Sequence, residues 1–558
     1  MTIEEQTNLD GMADPKTNPS AKFPKLFLLA GFILGWMVDF LFWGHTPGIS
    51  IPIWILLALT ALLVLAGIER IRPNIRSYGL MALILISTAF TLLRLEPMTF
   101  FLNTVAALFG LVLLAATFTH GHWFYYRLID YIGPTLRVIF GGLQQVFHTL
   151  IPASKGKTSS EPGKSGGLKL FFSILRGTLF AIPVLLILGS LLASADHVFA
   201  EQLKFMLDWF NIDHLLEYGF RFGYVLVFSL ILMGVLFQAL LSRQNQDRPD
   251  PARKLITPFL GWIETAMMLG SINLMFLLFV TIQFNYLFGG QSNIHQQGFN
   301  YAEYAQRGFS ELIVVAVLSF FIYLGLESIS RRESKAQKRW FSGLSILLMG
   351  EVVVILASSF QRLALYEAAY GFTRLRMYTH VFILCLGAFL ITMMILEAAG
   401  KKGRFALVFM LFCFTFTYAL SLTNVDALIT KLNLRHSTQI KHSTLTNRTD
   451  TLDYDYLRSL SNDAGPELIR GFQNADLPLN THEKIGVIFA CRSYAIHETM
   501  PPNWRSYRPM DAYMQEKILS MEGQVSEEFV ARKTADGIFV KTEKNDWQCD
   551  AYWDVFMD

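Results

Sequence analysis

Charge is scarce in this sequence: Asp, Glu, Lys and Arg make up 16% of 558 residues, while 53% are hydrophobic. Soluble globular chains carry about 25% charged residues, and the ordinary reason for such a shortfall is a series of membrane-spanning helices. Net charge is also small, +3 with histidine neutral. No basic block stands out, so nucleic acid is not an expected partner. A cleavable signal peptide is missing too. The first apolar run begins near Leu26, after the polar leader MTIEEQTNLDGMADPKTNPSAKFPK (1–25). That leader reads as a disordered cytoplasmic tail, and the run behind it is long enough to span.

Signatures of catalysis are lacking as well. GKS at 163–165 echoes the end of a phosphate-binding loop, but that motif needs glycine where Thr158 stands and an apolar strand before it. His120 and His122 in THGHW have no neighbours to complete a metal-ligand set. Beside Trp123, Tyr125 and Tyr126 they read more simply as membrane-surface anchors. No nucleophile elbow, zinc-protease helix, kinase set or dinucleotide fingerprint occurs. The sequence therefore implies no catalytic residue, metal or cofactor.

What is present is apolar length. A ~30 Å hydrocarbon layer takes about 20 residues of helix, and about eleven runs reach that. They are 26–44, 50–68, 77–95, 99–119, 169–194, 220–241, 258–288, 309–328, 340–360, 375–397 and 404–424. The segment 125–152, whose helical spacing is broken by Arg137, Gly141 and Gly142, reads as an amphipathic helix on the membrane surface. The expected fold is an all-α polytopic membrane protein, with a transmembrane domain over 26–424. A small, mainly helical extramembrane domain follows over 425–558, holding one hairpin about Asp536-Gly537.

Lysine and arginine set the expected orientation, because basic loops stay cytoplasmic. Five basic loops (69–77, 155–169, 242–254, 331–339 and 400–404) alternate with loops poor in cations such as HTPGIS. The pattern is self-consistent with the amino terminus inside, and an odd number of spans then puts everything after Asn424 outside the cytoplasm. Of the four cysteines, Cys385 and Cys413 fall within spans as small apolar side chains. Cys491 and Cys549 fall in the C-terminal domain, where an extracytoplasmic location makes them a candidate disulfide; two unconnected thiols is the alternative.

The few charges near the spans cluster at the expected outer level. They include Asp39, Asp196, Arg221, Glu303, Arg307, Glu311, Arg362, Glu367, Arg374 and Arg376, with Tyr378 in YGFTRLRMYTH (370–380). Snorkelling at chain ends accounts for many of these. Cations should be scarce on that side, however, so Arg221, Arg307, Arg362, Arg374 and Arg376 call for partners. Candidates are Asp39, Asp196, Glu303, Glu311 and Glu367. Paired charges would clamp helix ends. Arginines left over would hold a phosphate or carboxylate in two-point geometry, in a polar cup roofed by the C-terminal domain. Two acids lie elsewhere, Glu264 on the inner side and Glu351 near mid-depth, and both are proton- or ion-relay candidates. A helix–helix hydrogen bond made by neutral Glu351 is the plainer account of that residue.

SADHVFA, WIETAMMLGSINLMFLLFVTIQFNYLFGG, YAEYAQRGFSEL, YGFTRLRMYTH, NVDALI and LDYDYLRSLSNDAGPEL resemble segments of the bacterial membrane proteins of the domain-of-unknown-function 4153/4173 group. The likeness runs from about residue 170 to 470, leaving the first four spans and the end of the chain unassigned. It implies a multi-pass protein of the bacterial cell envelope, seated in the cytoplasmic membrane, and no active-site residues. Three functions are in view. The first is binding of an anionic lipid headgroup, glycan precursor or envelope protein at the cup. The second is ion- or proton-coupled transport. The third is transfer chemistry on lipid-linked substrates, with Glu303 or Glu311 as base.

Overall fold

In a hydrocarbon layer every backbone N–H and C=O must be satisfied within its own segment, and an uninterrupted apolar run achieves this as an α-helix. The computed structural model describes residues 22–126, 131, 188, 192, 196, 199, 212–241, 258–288, 309–442, 452–498, 503–534, 537–542 and 545–549. Among these, ten helices are long and apolar enough to cross a membrane. They are α1 (Pro24–Phe42), α2 (Ser50–Glu69), α3 (Ile75–Leu93), α4 (Pro97–Thr117), α5 (Ile212–Leu241), α6 (Trp262–Phe288), α7 (Phe309–Ile329), α8 (Lys335–Tyr370), α9 (Arg374–Ala398) and α10 (Phe405–Thr423). Eight of them coincide, within about four residues, with a run expected from sequence; α5 begins eight residues before its expected run and α8 ends ten residues past its own. Most of the remaining expected run, 169–194, and most of 125–152 lie outside the described residues.

Two compact units make up the chain, one from residues 41–138 and 238–558, the other from 22–40 and 139–237. In the smaller unit α1 and α5 touch through small residues. A Cβ on Gly31 would lie 2.6 Å from that of Met233, and one on Gly35 only 2.1 Å from Ser229 Oγ, so glycine is what lets these backbones approach. In the larger unit α6 to α10 share an aromatic-rich core in which Phe320, Phe389, Phe409 and Phe412 stack and tilt against one another.

Helix ends follow from local chemistry. Glu96 accepts hydrogen bonds from the N–H groups of Met98 (2.9 Å) and Thr99 (2.7 Å), starting α4 at Pro97. Ser334 and Gln337 form a capping box at the start of the 36-residue α8. Asn424, left-handed at φ 48°, ends α10 and lets the next helix start at once.

That helix, α11 (Val425–His442), leads into α12 (Tyr454–Arg458), α13 (Gly465–Phe472), α14 (Leu479–Glu498), α15 (Pro509–Ser526) and the strands β1 (Ala531–Thr534), β2 (Gly537–Lys541) and β3 (Asp546–Gln548). The expected hairpin is β1–β2, with Thr534 opposite Gly537. β3 adds a third antiparallel strand that its polar DWQ sequence does not announce. A disulfide joins Cys491 in α14 to Cys549 just after β3, with Cα atoms 5.5 Å apart. The C-terminal segment does not close a core of its own: Met377 of α9 and Leu420 of α10 belong to the same buried cluster as Leu468, Ile485, Met514 and Val540.

Candidate functional site: a charged layer at the span ends and a buried carboxyl

The chain reverses between α8 and α9 in three residues. Gly371, at φ +77°, adopts a backbone shape that suits glycine, and Arg374 is delivered to the first turn of α9. Its Nε and Nη2 donate to Asp426 Oδ1 and Oδ2 at 2.7 and 2.6 Å, the two-point geometry that makes arginine–carboxylate pairs strong. Nη2 also reaches the Ser459 carbonyl at 3.1 Å, and the Arg374 backbone N–H donates to the Tyr456 hydroxyl at 2.7 Å. Asp426 is fully buried in the first turn of α11, where a helix N-terminus favours negative charge. It takes a further bond from the Ser461 N–H at 2.8 Å.

One turn further along α9, the Tyr378 hydroxyl donates to Glu96, the acid that caps α4. Asp463 completes the connection from the C-terminal segment: its Oδ2 accepts from the N–H groups of Leu95 (2.8 Å) and Glu96 (3.3 Å). Arg94 Nε donates to the Ser421 carbonyl at 2.5 Å. The α3–α4 corner, the start of α9, the α10–α11 junction and residues 459–463 are thus bonded into one layer. Burial pushes the Asp463 carboxyl up to about 6 and the Tyr456 hydroxyl up to about 12.

The other residues singled out in the sequence scatter. Arg376 turns back to the carbonyls of Tyr370 and Gly371 and lies over the Tyr366 ring, 4.1 Å from its centroid. Arg362 Nη2 donates to Gln283 Oε1 at 2.9 Å. Buried Glu367 meets His380 Nδ1 at 3.1 Å. Asp39 pairs with Arg221 at 2.9 and 2.7 Å and accepts from the Tyr224 hydroxyl, all within the smaller unit. Asp196 is exposed and accepts from the Phe199 N–H at 3.3 Å. Glu311 is exposed at the start of α7, where Ser310 Oγ donates to it at 2.9 Å. Glu264 is exposed as well and accepts from the Gly261 N–H at 2.7 Å, which makes it a helix cap, not a buried relay. Glu303 and Arg307 lie outside the described residues. His120 and His122 have ring centroids 5.4 Å apart. Among the described residues no group of three or more His, Cys, Asp or Glu is placed to hold a metal ion.

Arg374 is therefore not an arginine left over from pairing. Its partner Asp426 is hard to read from sequence because it stands 52 residues away in NVDALI, just past the last expected span. An acid directly behind a span end was the only signal.

Glu351 differs from all of these. It lies near the middle of α8, is buried, and among the described residues neither carboxyl oxygen has a hydrogen-bond partner. Its neighbours Leu348, Val352 and Ile355 belong to the apolar core. On α6, buried Asn273 donates from Nδ2 to the Leu269 carbonyl at 2.6 Å, while its Oδ1 is likewise without a partner.

The family described as Domain of unknown function (DUF4153) matches residues 80–471. The chain belongs to the DUF4153 family. The DUF4153 match begins well upstream of the resemblance noted in the sequence and takes in most of α3 and all of α4. It covers Glu351, Arg374, Asp426 and Asp463, and leaves out the disulfide. No curated protein and no solved structure matches the chain.

Proposed function

We propose that this protein is a proton- or ion-coupled transporter of the bacterial cytoplasmic membrane, working through the α6–α9 bundle with Glu351 as its ion-binding group. The observation that carries this reading is the buried Glu351 carboxyl without a partner. An ionisable group inside a span is expensive and marks an ion or proton pathway by default. The charged layer at the span ends supports it by contrast: there the carboxylates Asp426 and Glu96 are held by hydrogen bonds suited to clamping helices together.

In the proposed orientation the amino terminus is inside and the C-terminal domain outside, the odd tally being that of the eleven apolar runs in the sequence. Several observations support this. The C-terminal segment docks on the short 45–49 loop, where the Ile49 N–H donates to the Tyr507 carbonyl at 3.0 Å and Arg508 to the Pro47 carbonyl at 2.6 Å. The basic loops 69–77 and 400–404 flank the opposite ends of α2 and α10. A Cys491–Cys549 disulfide also suits an oxidising compartment.

Reconstituted vesicles carrying a pH or cation gradient, supplied with a panel of solutes, test the function. Gradient-driven flux is expected from the wild type and not from Glu351→Gln. Absence of any such flux from the wild-type protein across the panel would retire the reading. A second reading, capture of an anionic lipid headgroup, glycan precursor or envelope protein at the layer, draws on Arg374. Its Nη1 makes no hydrogen bond among the described residues and its side chain is 23% exposed. Phosphate-bearing lipid that stays bound through purification, and is released on Arg374→Lys, would favour this second reading.

A further inference from the structure

Glu351 and Asn273 sit on helices whose register is fixed at two places. The residues just before α6 and α8 lie together, with Leu260 bridged to Ser330 and its carbonyl accepting from the Arg331 N–H at 2.8 Å. Further along, Gln283 Oε1 of α6 accepts from Ser358 Oγ at 3.0 Å and Arg362 Nη2 at 2.9 Å of α8. The two helices therefore run parallel. Asn273 precedes Gln283 by about 15 Å of helix, and Glu351 precedes Ser358 and Arg362 by about 10 and 16 Å. The two residues are thus level. Glu351 is also two helical turns before Ser358, on the same face of α8, the face that meets α6. Asn273 belongs to the buried side of α6, with Leu269, Phe276 and Val280.

Three oxygens are consequently brought to one depth with no donor among the described residues: Glu351 Oε1, Glu351 Oε2 and Asn273 Oδ1. Each buried acceptor without a donor is destabilising, and a bare carboxylate more so. No neighbouring charge compensates. On α6, Glu264 is in the first turn. On α7, Glu311 and Glu327 are near the two ends, and Tyr323 donates to Glu397. On α9, Arg374, Arg376, Tyr378 and His380 lie near the start and Glu397 near the end, while Gly350 faces Met394. Cys385, nine residues before Met394, is about 13 Å away along the helix. On α8 itself, Arg362 and Glu367 are engaged with Gln283 and His380.

We infer that Glu351 is a proton-binding carboxyl whose protonated form donates to Asn273 Oδ1, so that the ion coupled by the proposed transporter is H⁺ and not a metal cation. Three oxygens are too few for a hard cation, which takes about six or more, and the backbone carbonyls of an unbroken helix are already engaged. A proton needs only one carboxyl oxygen to hold it and one acceptor to receive the O–H. Binding adds one H⁺ to the carboxylate and breaks no covalent bond.

This inference rests on the transport reading only for what the proton drives, and infrared difference spectroscopy separates the two. Full-length protein in lipid nanodiscs is titrated with acid and base in choline chloride. A carbonyl band of a protonated carboxylic acid is expected, lost in Glu351→Gln and shifted in Asn273→Leu, with Asn273→Ala as the alternative where leucine disturbs folding. The band is expected to persist when sodium or potassium replaces choline. A folded Glu351→Gln protein that keeps every such band, an Asn273 variant with an unshifted band, or loss of the band in sodium each overturns the inference. A Glu351 band in a protein that drives no flux keeps the proton site and removes the transporter; proton-driven flux that survives Glu351→Gln does the reverse.

Discussion

Two acids of one helical bundle, Glu397 and Glu351, are both buried, and the fold treats them in opposite ways. Glu397 accepts from the Tyr323 hydroxyl at 2.8 Å and Ser342 Oγ at 2.6 Å, and pairs with Lys402 Nζ at 2.6 Å. Glu351 has no hydrogen-bond partner among the described residues. Asp426, at the C-terminal segment, is of the first kind, held by Arg374 and by the Ser461 N–H. Surrounding a buried charge with donors makes it structural, because the attraction then offsets desolvation. Leaving a carboxyl bare keeps it able to take up and release a proton. The difference separates the scaffold from the group on which function is expected to depend.

The comparison breaks most easily at Asp426. Asp426→Ala leaves the Arg374 guanidinium half-buried without its carboxylate, and the loss expected is about 3–5 kcal/mol. Thermal unfolding of the protein in detergent reads this as a lowered midpoint. Glu397→Leu belongs to the same class, since it strands Lys402 and two hydroxyls. The double change Arg374→Met with Asp426→Leu should recover most of the loss, as apolar replacement of a whole buried pair is close to neutral. A single Asp426→Ala protein as stable as wild type would remove the clamp.

How far this contrast can be read in the sequence depends on the range of each signal. The spans are legible because apolar length is a local property, and α1 to α10 stand where the runs are. Asp39 is legible as a partner for an outer arginine because both stand at span ends. Asp426 and Asp463 are not, since they reach Arg374 and the Leu95–Glu96 corner only once the C-terminal segment has folded back. The depth of Glu351 can be counted along its span, but its lack of partners cannot, because satisfaction of a carboxyl depends on all the helices packed around it at once. Asn273 carries no signal of its own in WIETAMMLGSINLMF.

Asp463 sharpens the comparison with a medium effect. It is fully buried, yet Oδ1 has no partner among the described residues, so it stands between the two kinds of acid. Burial raises its pKa from 3.8 to about 6. A folded-state value above the unfolded one means that the stabilising contribution is full below about pH 4 and is lost as pH rises through 6. The docking of residues 459–472 on the α3–α4 corner should therefore tighten on acidification from neutral pH to 5. Asp463→Asn, neutral throughout and still able to accept from Leu95 and Glu96, should flatten that slope and gain roughly 3 kcal/mol at pH 7. Hydrogen exchange across 459–472 against pH, in wild type and variant, measures both. Equal slopes would mean that Asp463 does not titrate in this window.

The smallest effect on stability is expected where the effect on function is largest. Glu351→Leu removes a buried group whose one proposed hydrogen bond, from its protonated form to Asn273 Oδ1, links two side chains with no other tie between them, and an apolar side chain of similar size fits among Leu348, Val352 and Ile355. Replacing an unsatisfied polar group in this way is neutral or stabilising, so unfolding should stay within about 1 kcal/mol of wild type or move above it. Glu397→Leu, the same change made on the next helix, α9, should lose several times that. A buried carboxyl that can be deleted without harm to the fold is kept for something other than folding. If Glu351→Leu unfolds as readily as Glu397→Leu, the two acids are of one kind, and Glu351 holds the bundle together through its charge.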